Sequence, residues 1–121
     1  MPFLFEKLEV YRLAVEIAVE FDELTDGFPR QTHALSDQLR RASISISAYI
    51  AEGNARFTKS DRRNFFVIAR GSASECIPLL EIARRRGIVE TERANELKRR
   101  LDRIARMLTA LISGLERTTH P

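Results

Sequence analysis

Tryptophan is absent from this sequence, cysteine occurs once, histidine twice, and glycine (5) and proline (4) are sparse across 121 residues. Each shortage excludes something. A single cysteine, Cys76, rules out an internal disulfide framework and suits a reducing compartment. His33 and His120, with that one cysteine, do not supply the three or four convergent ligands of a zinc site. Few glycines and prolines, beside 31% charged and 44% hydrophobic residues, favour helices over a turn-rich sheet. Long apolar runs are missing as well. None approaches about 18 residues, which excludes a membrane-spanning helix, and the opening MPFLFEKLEV has neither the basic nor the apolar region of a signal peptide. The expectation is a cytoplasmic, all-α chain forming one domain over residues 1–121, with no cofactor and no membrane partner.

Positive charge is scarce in one region only. Residues 1–31 hold three basic side chains (Lys7, Arg12, Arg30) against seven acids, a net of −4. The remaining ninety hold seventeen basic against ten acidic residues, a net of +7. A basic body with an acidic first helix suits either a nucleic-acid surface or a self-complementary one.

Four amphipathic segments account for most of the chain. Val10, Ala14, Ile17, Phe21 and Leu24, spaced four and three apart, predict a helix over 6–25. Asp26-Gly27-Phe28-Pro29 stops it, with Gly27 expected in a left-handed cap. Thr32 or Ser36 is placed to cap a second helix over 33–53, with Leu35, Leu39, Ala42, Ile46 and Ile50 inward. Thr58 and Asp61 have the spacing of a capping box for a third helix over 59–86. Its inner stripe reads Phe65, Ile68, Ala69, Ser72, Cys76, Leu79 and Ala83, and Pro78 predicts a kink. Thr91 and Glu92 open a fourth helix over 91–116, with Leu97, Leu101, Ile104, Leu108, Leu111 and Leu115 inward and Thr118–Pro121 as a frayed tail. Short connections imply an antiparallel up-down-up-down four-helix bundle. At roughly 40 Å, the last two helices are long for such a chain, so part of their surface is expected to lie against something else.

The stretch Leu39–Arg56, LRRASISISAYIAEGNAR, is rich in small side chains at 42, 43, 45, 47, 48 and 51, which invites another backbone close. Folding helices two and three back across a turn at 54–57 sets Ala42 beside Gly71, Ser45 beside Ile68 and Arg41 beside Ser72. Gly71 costs about 1 kcal/mol in a helix interior relative to Ala, and close apposition to Ala42 offers the compensating reason. The same register gathers Gln38, Arg41 and Glu75 into a partly buried polar cluster, with Glu16 and Glu20 of helix one within reach of Arg41. Glu52 opposes the dipole at the end of helix two; its partner is Arg56, Arg62 or Arg63 locally, or a group on a neighbouring chain.

No catalytic constellation emerges. Cys76 falls on an apolar stripe and reads first as a buried small hydrophobe, while Ser43, Ser45 and Ser47 have no general base to pair with. The candidate chemistry lies in basic clusters. Arg56, Lys59, Arg62 and Arg63 gather where helix three begins; Arg84, Arg85 and Arg86 gather at the other end; Lys98, Arg99, Arg100, Arg103 and Arg106 run along helix four. Arginine's planar fork suits phosphate oxygens. Interleaved acids at Asp61, Glu81, Glu90, Glu92, Glu96 and Asp102 are equally consistent with a solvated, ion-paired face. Phe57 and Phe66 are candidates for base stacking, with core or subunit packing as the plainer role. Two readings stand: a non-enzymatic oligomer binding the RNA or DNA backbone, and a protein scaffold or adaptor.

Leu39-Arg40-Arg41-Ala42, Ile50-Ala51-Glu52-Gly53 and Ala69-Arg70-Gly71-Ser72-Ala73-Ser74-Glu75, with Phe5, Leu8, Val10, Tyr11 and Phe28-Pro29, resemble a known bacterial family. The chain looks like the four-helix-bundle proteins first described from intervening sequences of large-subunit ribosomal RNA genes. Those proteins are similar in fold to the accessory variability protein of diversity-generating retroelements, which works with a reverse transcriptase. The resemblance implies a homopentameric ring of bundles, with RNA or DNA and a partner protein such as a reverse transcriptase as candidate ligands. It does not imply an enzyme. Ser47, Tyr49 and Pro78 depart from the family pattern; the first two suggest a straighter second helix.

Overall fold

The computed structural model describes residues 8–117, the side chain of Arg117 excepted. Within them lie four helices, α1 (Glu9–Asp26), α2 (His33–Asn54), α3 (Lys59–Arg85) and α4 (Thr91–Arg117), with a single 3-10 turn at Arg30–Thr32 before α2. The expected helical residues 6–7, the tail and His120 lie outside the described part. Helix α3 is continuous through Pro78. Each helix packs on its chain neighbours, and α1 also meets α4, whereas the backbones of the diagonal pairs stay farther apart among the described residues. The helices therefore sit at four corners, with the α1/α4 side opposite the α2/α3 side. The α1/α4 seam is the loosest of the four.

The core is built from Val10, Ala14, Ile17 and Phe21 of α1, Leu39, Ala42, Ile46 and Ile50 of α2, Phe66, Ala69, Ala73, Cys76, Leu79 and Leu80 of α3, and Leu97, Leu101, Ile104, Leu108 and Ile112 of α4. A smaller cluster of Ala83, Val89 and Ala94 closes the end near the α3–α4 turn. Helix α3 is thus rotated from expectation. Phe66 is buried and Phe65 only half-buried, while Ile68 stands exposed. Phe65 instead stacks on Tyr49, ring centroids 6.1 Å apart.

The ends of the helices explain part of the course of the chain. Gly27 is not left-handed, with φ −87°; the Gly27 and Phe28 amides donate to the Leu24 and Thr25 carbonyls at 3.2 and 3.1 Å, and the extended Pro29 follows. The left-handed residue is Gly87, φ 74°, where the amides of Gly87 and Ile88 donate to the carbonyls of Arg84 and Ala83 at 2.9 Å each. Thr58 caps α3, accepting from the Asp61 amide at 3.1 Å. Thr32 stands before α2 but donates its hydroxyl backward to the Pro29 carbonyl at 2.6 Å.

Close approach between α2 and α3 occurs at Gly53, not at Gly71. A Cβ on Gly53 would lie 2.9 Å from a ring carbon of Phe66 and 3.0 Å from the Cβ of Phe65. A Cβ on Gly71 would meet nothing within 4 Å, and Gly71 is exposed. The register corrects with it. Ser45 donates to Ser72 at 2.7 Å, so Ser45 faces Ser72 rather than Ile68. This is a displacement of α3 by four residues, about 6 Å along its axis. Level facing across the turn requires both helices to begin at equal heights; the extended Thr58 and the rotation that buries Phe66 carry α3 past the end of α2. Substituting Gly71→Ala is expected to stabilise the protein by about 0.5–1 kcal/mol, since it removes backbone freedom from an exposed helical site without a clash. Urea unfolding checks this, and a loss of stability would mean that another surface already occupies the space.

Candidate nucleic-acid interface

Leu97, Leu101, Ile104 and Leu108 turn one side of α4 into the core, which forces residues 99, 102, 103 and 106 outward. Lys98, Arg99, Asp102, Arg103 and Arg106 line a shallow hollow of about 600 Å³ on that outward face. Arg99 makes no ion pair among the described residues. The others are held: Lys98 to Glu81 at 2.6 Å, Arg103 to Glu9 at 2.8 Å, Arg106 to Asp102 at 2.8 Å. Arg103, Asp102 and Arg106 are exposed, so their pairs are weak and exchangeable with an incoming anion. Arg100 leaves this face. It lies half-buried in the α1/α4 seam, where it and Arg93 both pair with Glu20.

The other expected clusters are more self-neutralised. Near the start of α3, Arg56 pairs with Glu52 at 2.5 Å and lies 4.7 Å from the Phe65 ring centroid. Arg62 donates to the Arg56 carbonyl at 2.7 Å, and Arg63 pairs with Glu116 at 2.6 Å. Lys59, half-buried, begins the helix beside them. At the far end Arg84, Arg85 and Lys98 converge on Glu81. Hydrogen bonds from Arg84, Lys98 and Arg85, in that order, hold the Glu81 carboxyl well below the usual carboxylate range, and Glu81 in turn raises Arg84. Arg86 has no ion pair among the described residues.

The polar cluster expected from Gln38, Arg41, Glu52 and Glu75 does not form. All four are exposed, and Glu52 is taken by Arg56. Glu20 turns away to α4, and it is Arg40, not Arg41, that binds α1, through Asp26 at 2.8 Å and Asp22 at 3.7 Å. The cause is the same axial and rotational shift that relocated the close approach.

Two features have no signal in the sequence. Arg70 reaches across to Thr109 on α4 at 3.3 Å, which no periodicity marks. Phe57 is 99% exposed, whereas Phe66 is 4% exposed and cannot stack on a base.

Among the described residues no group of acidic, histidine or cysteine side chains is placed to hold a metal, and no helix is long and apolar enough to cross a membrane. Burial, with a smaller contribution from Glu75, pushes the Cys76 thiol up to about 12. A neutral, enclosed thiol is a poor nucleophile.

Known proteins share this architecture. A family model described as 23S rRNA-intervening sequence protein matches residues 6–110. A crystal structure of a protein of unknown function from the S23 ribosomal protein family of Bacteroides thetaiotaomicron is similar in fold, with a TM-score of 0.80 at 25% identity over 85% of this chain and 97% of that one. No curated protein matches the sequence.

Cys76 is expected to resist a thiol reagent such as dithionitrobenzoate at pH 8 in the folded protein and to react at once in denaturant. The stability gained by keeping it neutral is intact below its ordinary value of 9.0 and declines as pH rises toward about 12. Rapid labelling of native protein would contradict the enclosure.

Proposed function

The chain belongs to the family of 23S rRNA-intervening sequence proteins, and from that premise we propose that it is a non-catalytic oligomer that holds RNA or DNA by the phosphate backbone. The protomer in this reading is an antiparallel up-down-up-down bundle. Its pairings support that course, since Arg63–Glu116, Arg70–Thr109 and Glu81–Lys98 ascend α3 while descending α4. The observation that carries the function is the basic hollow on α4, with unpaired Arg99 between Lys98 and the exchangeable Arg103 and Arg106. Guanidinium groups repeated along one exposed helical face suit phosphate oxygens and supply no base readout by themselves. A homopentameric ring would present the hollow five times and multiply a weak contact through avidity. Cys76, held neutral in the core, argues against thiol chemistry.

A second reading, a protein scaffold or adaptor working with a partner protein, draws on a specific observation. Six of the ten candidate phosphate ligands, Arg56, Arg63, Arg84, Arg85, Arg100 and Arg103, already face acids of their own chain. Pairing of this kind lowers the field available to an outside polyanion.

Fluorescence anisotropy with a structured RNA and a DNA duplex separates the two. Binding through the backbone should be insensitive to sequence, and with six to ten phosphate contacts it should weaken roughly 10³–10⁵-fold between 50 and 200 mM salt. Arg99→Ala should weaken every sequence alike and reduce the salt slope by about 1 for each copy whose phosphate ligand is removed. No binding of either nucleic acid at about 50 mM salt would leave the scaffold reading standing.

A further inference from the structure

We propose that Phe57 is a stacking platform for an unpaired nucleic-acid base, so that the strand this protein holds is single-stranded where it crosses the α2–α3 turn. The inference rests on the nucleic-acid reading above and names the kind of strand.

Phe57 stands in that turn with 99% of its surface in water. The backbone on either side of it is held. The Arg56 amide donates to the Gly53 carbonyl at 3.2 Å, the Arg56 carbonyl accepts from Arg62 at 2.7 Å, and Thr58 is occupied as the cap of α3. An aromatic side chain on such a backbone has only two torsions left to order, so it offers a flat apolar face at little entropic cost. The other large apolar side chains exposed among the described residues are valine or isoleucine, and none of them has a π face.

The surroundings of the ring are cationic. Phe57 lines an open hollow of about 540 Å³ with Thr58, Lys59, Ser60, Arg62 and Leu115, and no carboxylate is among them. Arg62 spends its Nε on the Arg56 carbonyl, and no acid pairs with its guanidinium among the described residues. Arg56 and Arg63, which do pair with acids, do not line the hollow. An exposed ring beside unshared positive charge matches the two halves of a nucleotide, base face to ring and phosphate to cation.

The hollow also continues the basic face of α4. Leu115 lies nine residues beyond Arg106, about 14 Å along the helix axis. Arg70 falls between them. It crosses from α3 to the neutral hydroxyl of Thr109 at 3.3 Å and pairs with no acid among the described residues. At roughly 3.4 Å per nucleotide the gap takes about four nucleotides of one strand, within the roughly 4–16 that single-strand sites span. Bases inside a duplex have both faces covered by their neighbours, whereas an unpaired base can be splayed onto an aromatic side chain. Every base has a π face, so this contact adds no reading of sequence.

The chain contains no tryptophan, so Phe57→Trp installs a single fluorescent reporter at the proposed contact. Its emission should be quenched by oligothymidylate or oligouridylate of about 12 nucleotides and left unchanged by an abasic strand of the same length. Phe57→Leu keeps an apolar side chain but removes the π face. It should bind either oligonucleotide roughly 5–150-fold more weakly than the wild type. Its affinity for a DNA duplex and its salt slope should not change, because no phosphate ligand is lost. Circular dichroism verifies that both variants fold, the position being exposed. Single-strand binding by Phe57→Leu equal to that of the wild type, or equal emission with oligothymidylate and the abasic strand, would overturn the stacking while a steep salt dependence keeps the phosphate reading. A Phe57→Leu variant that loses single strand and duplex alike, or whose mass by light scattering falls below that of the wild type, would also overturn it. Absence of any binding by the wild type at about 50 mM salt would overturn both.

Discussion

Phe66 reaches the core because residue 53 has no side chain. Two ring carbons of Phe66 lie 2.9 and 3.0 Å from where a Cβ at that position would be, and the Cβ of Phe65 bounds the same space at 3.0 Å. Contact this tight fixes both rotation and height of α3 against α2, since neither a turned nor a slid helix would present the same gap. From that follow the Ser45–Ser72 hydrogen bond, the stacking of Phe65 on Tyr49, and the inward order Ala69, Ala73, Cys76, Leu80. The turn beyond Gly53 is held by Arg62 and Thr58, and Phe57 within it stands in water.

Placement of α3 decides in turn how α4 presents its charge. Glu81 draws Lys98, Arg63 engages Glu116, and Arg70 spans to Thr109, so that three pairs along the α3/α4 side hold α4 in one orientation. On the far side Glu20 holds Arg93 and Arg100. What remains outward on α4 is unpaired Arg99 with Arg103 and Arg106, whose exposed pairs to Glu9 and Asp102 are exchangeable, and these rather than the total of twenty basic residues are what an external polyanion meets on that helix. Pairing within the chain therefore narrows the choice: among the described residues it leaves Arg99 free on α4 while neutralising most of the two clusters at the ends of α3.

Much of the fold is legible in the sequence, and the failures have definite causes. Apolar spacing locates all four helices because each buries a continuous stripe, and Thr58 with Asp61 marks the start of α3 through a cap that does form. Two adjacent phenylalanines, Phe65 and Phe66, leave the phase of α3 undetermined by periodicity, since either completes a helical stripe with later small residues. That ambiguity carries through to Gly71, assigned a close approach it does not make, and to Arg41, placed beside Glu20, which Arg93 and Arg100 reach instead. Gly27 and Gly87 both follow a helix, yet Gly27 ends α1 at φ −87° ahead of the extended Pro29, and only Gly87 takes a positive φ. The candidate site is legible as a run of arginines along helix four; which of them stay unpaired depends on distances between helices, which a single sequence does not encode.

The contact at Gly53 is tested most directly by urea unfolding of Gly53→Ala beside the wild-type chain at equal concentration. Helix propensity alone would reward the added methyl with up to about 1 kcal/mol. The packing against Phe65 and Phe66 predicts the opposite sign, a loss of about 1–3 kcal/mol as the rings are forced aside. A variant as stable as the wild type, or more so, would contradict the account.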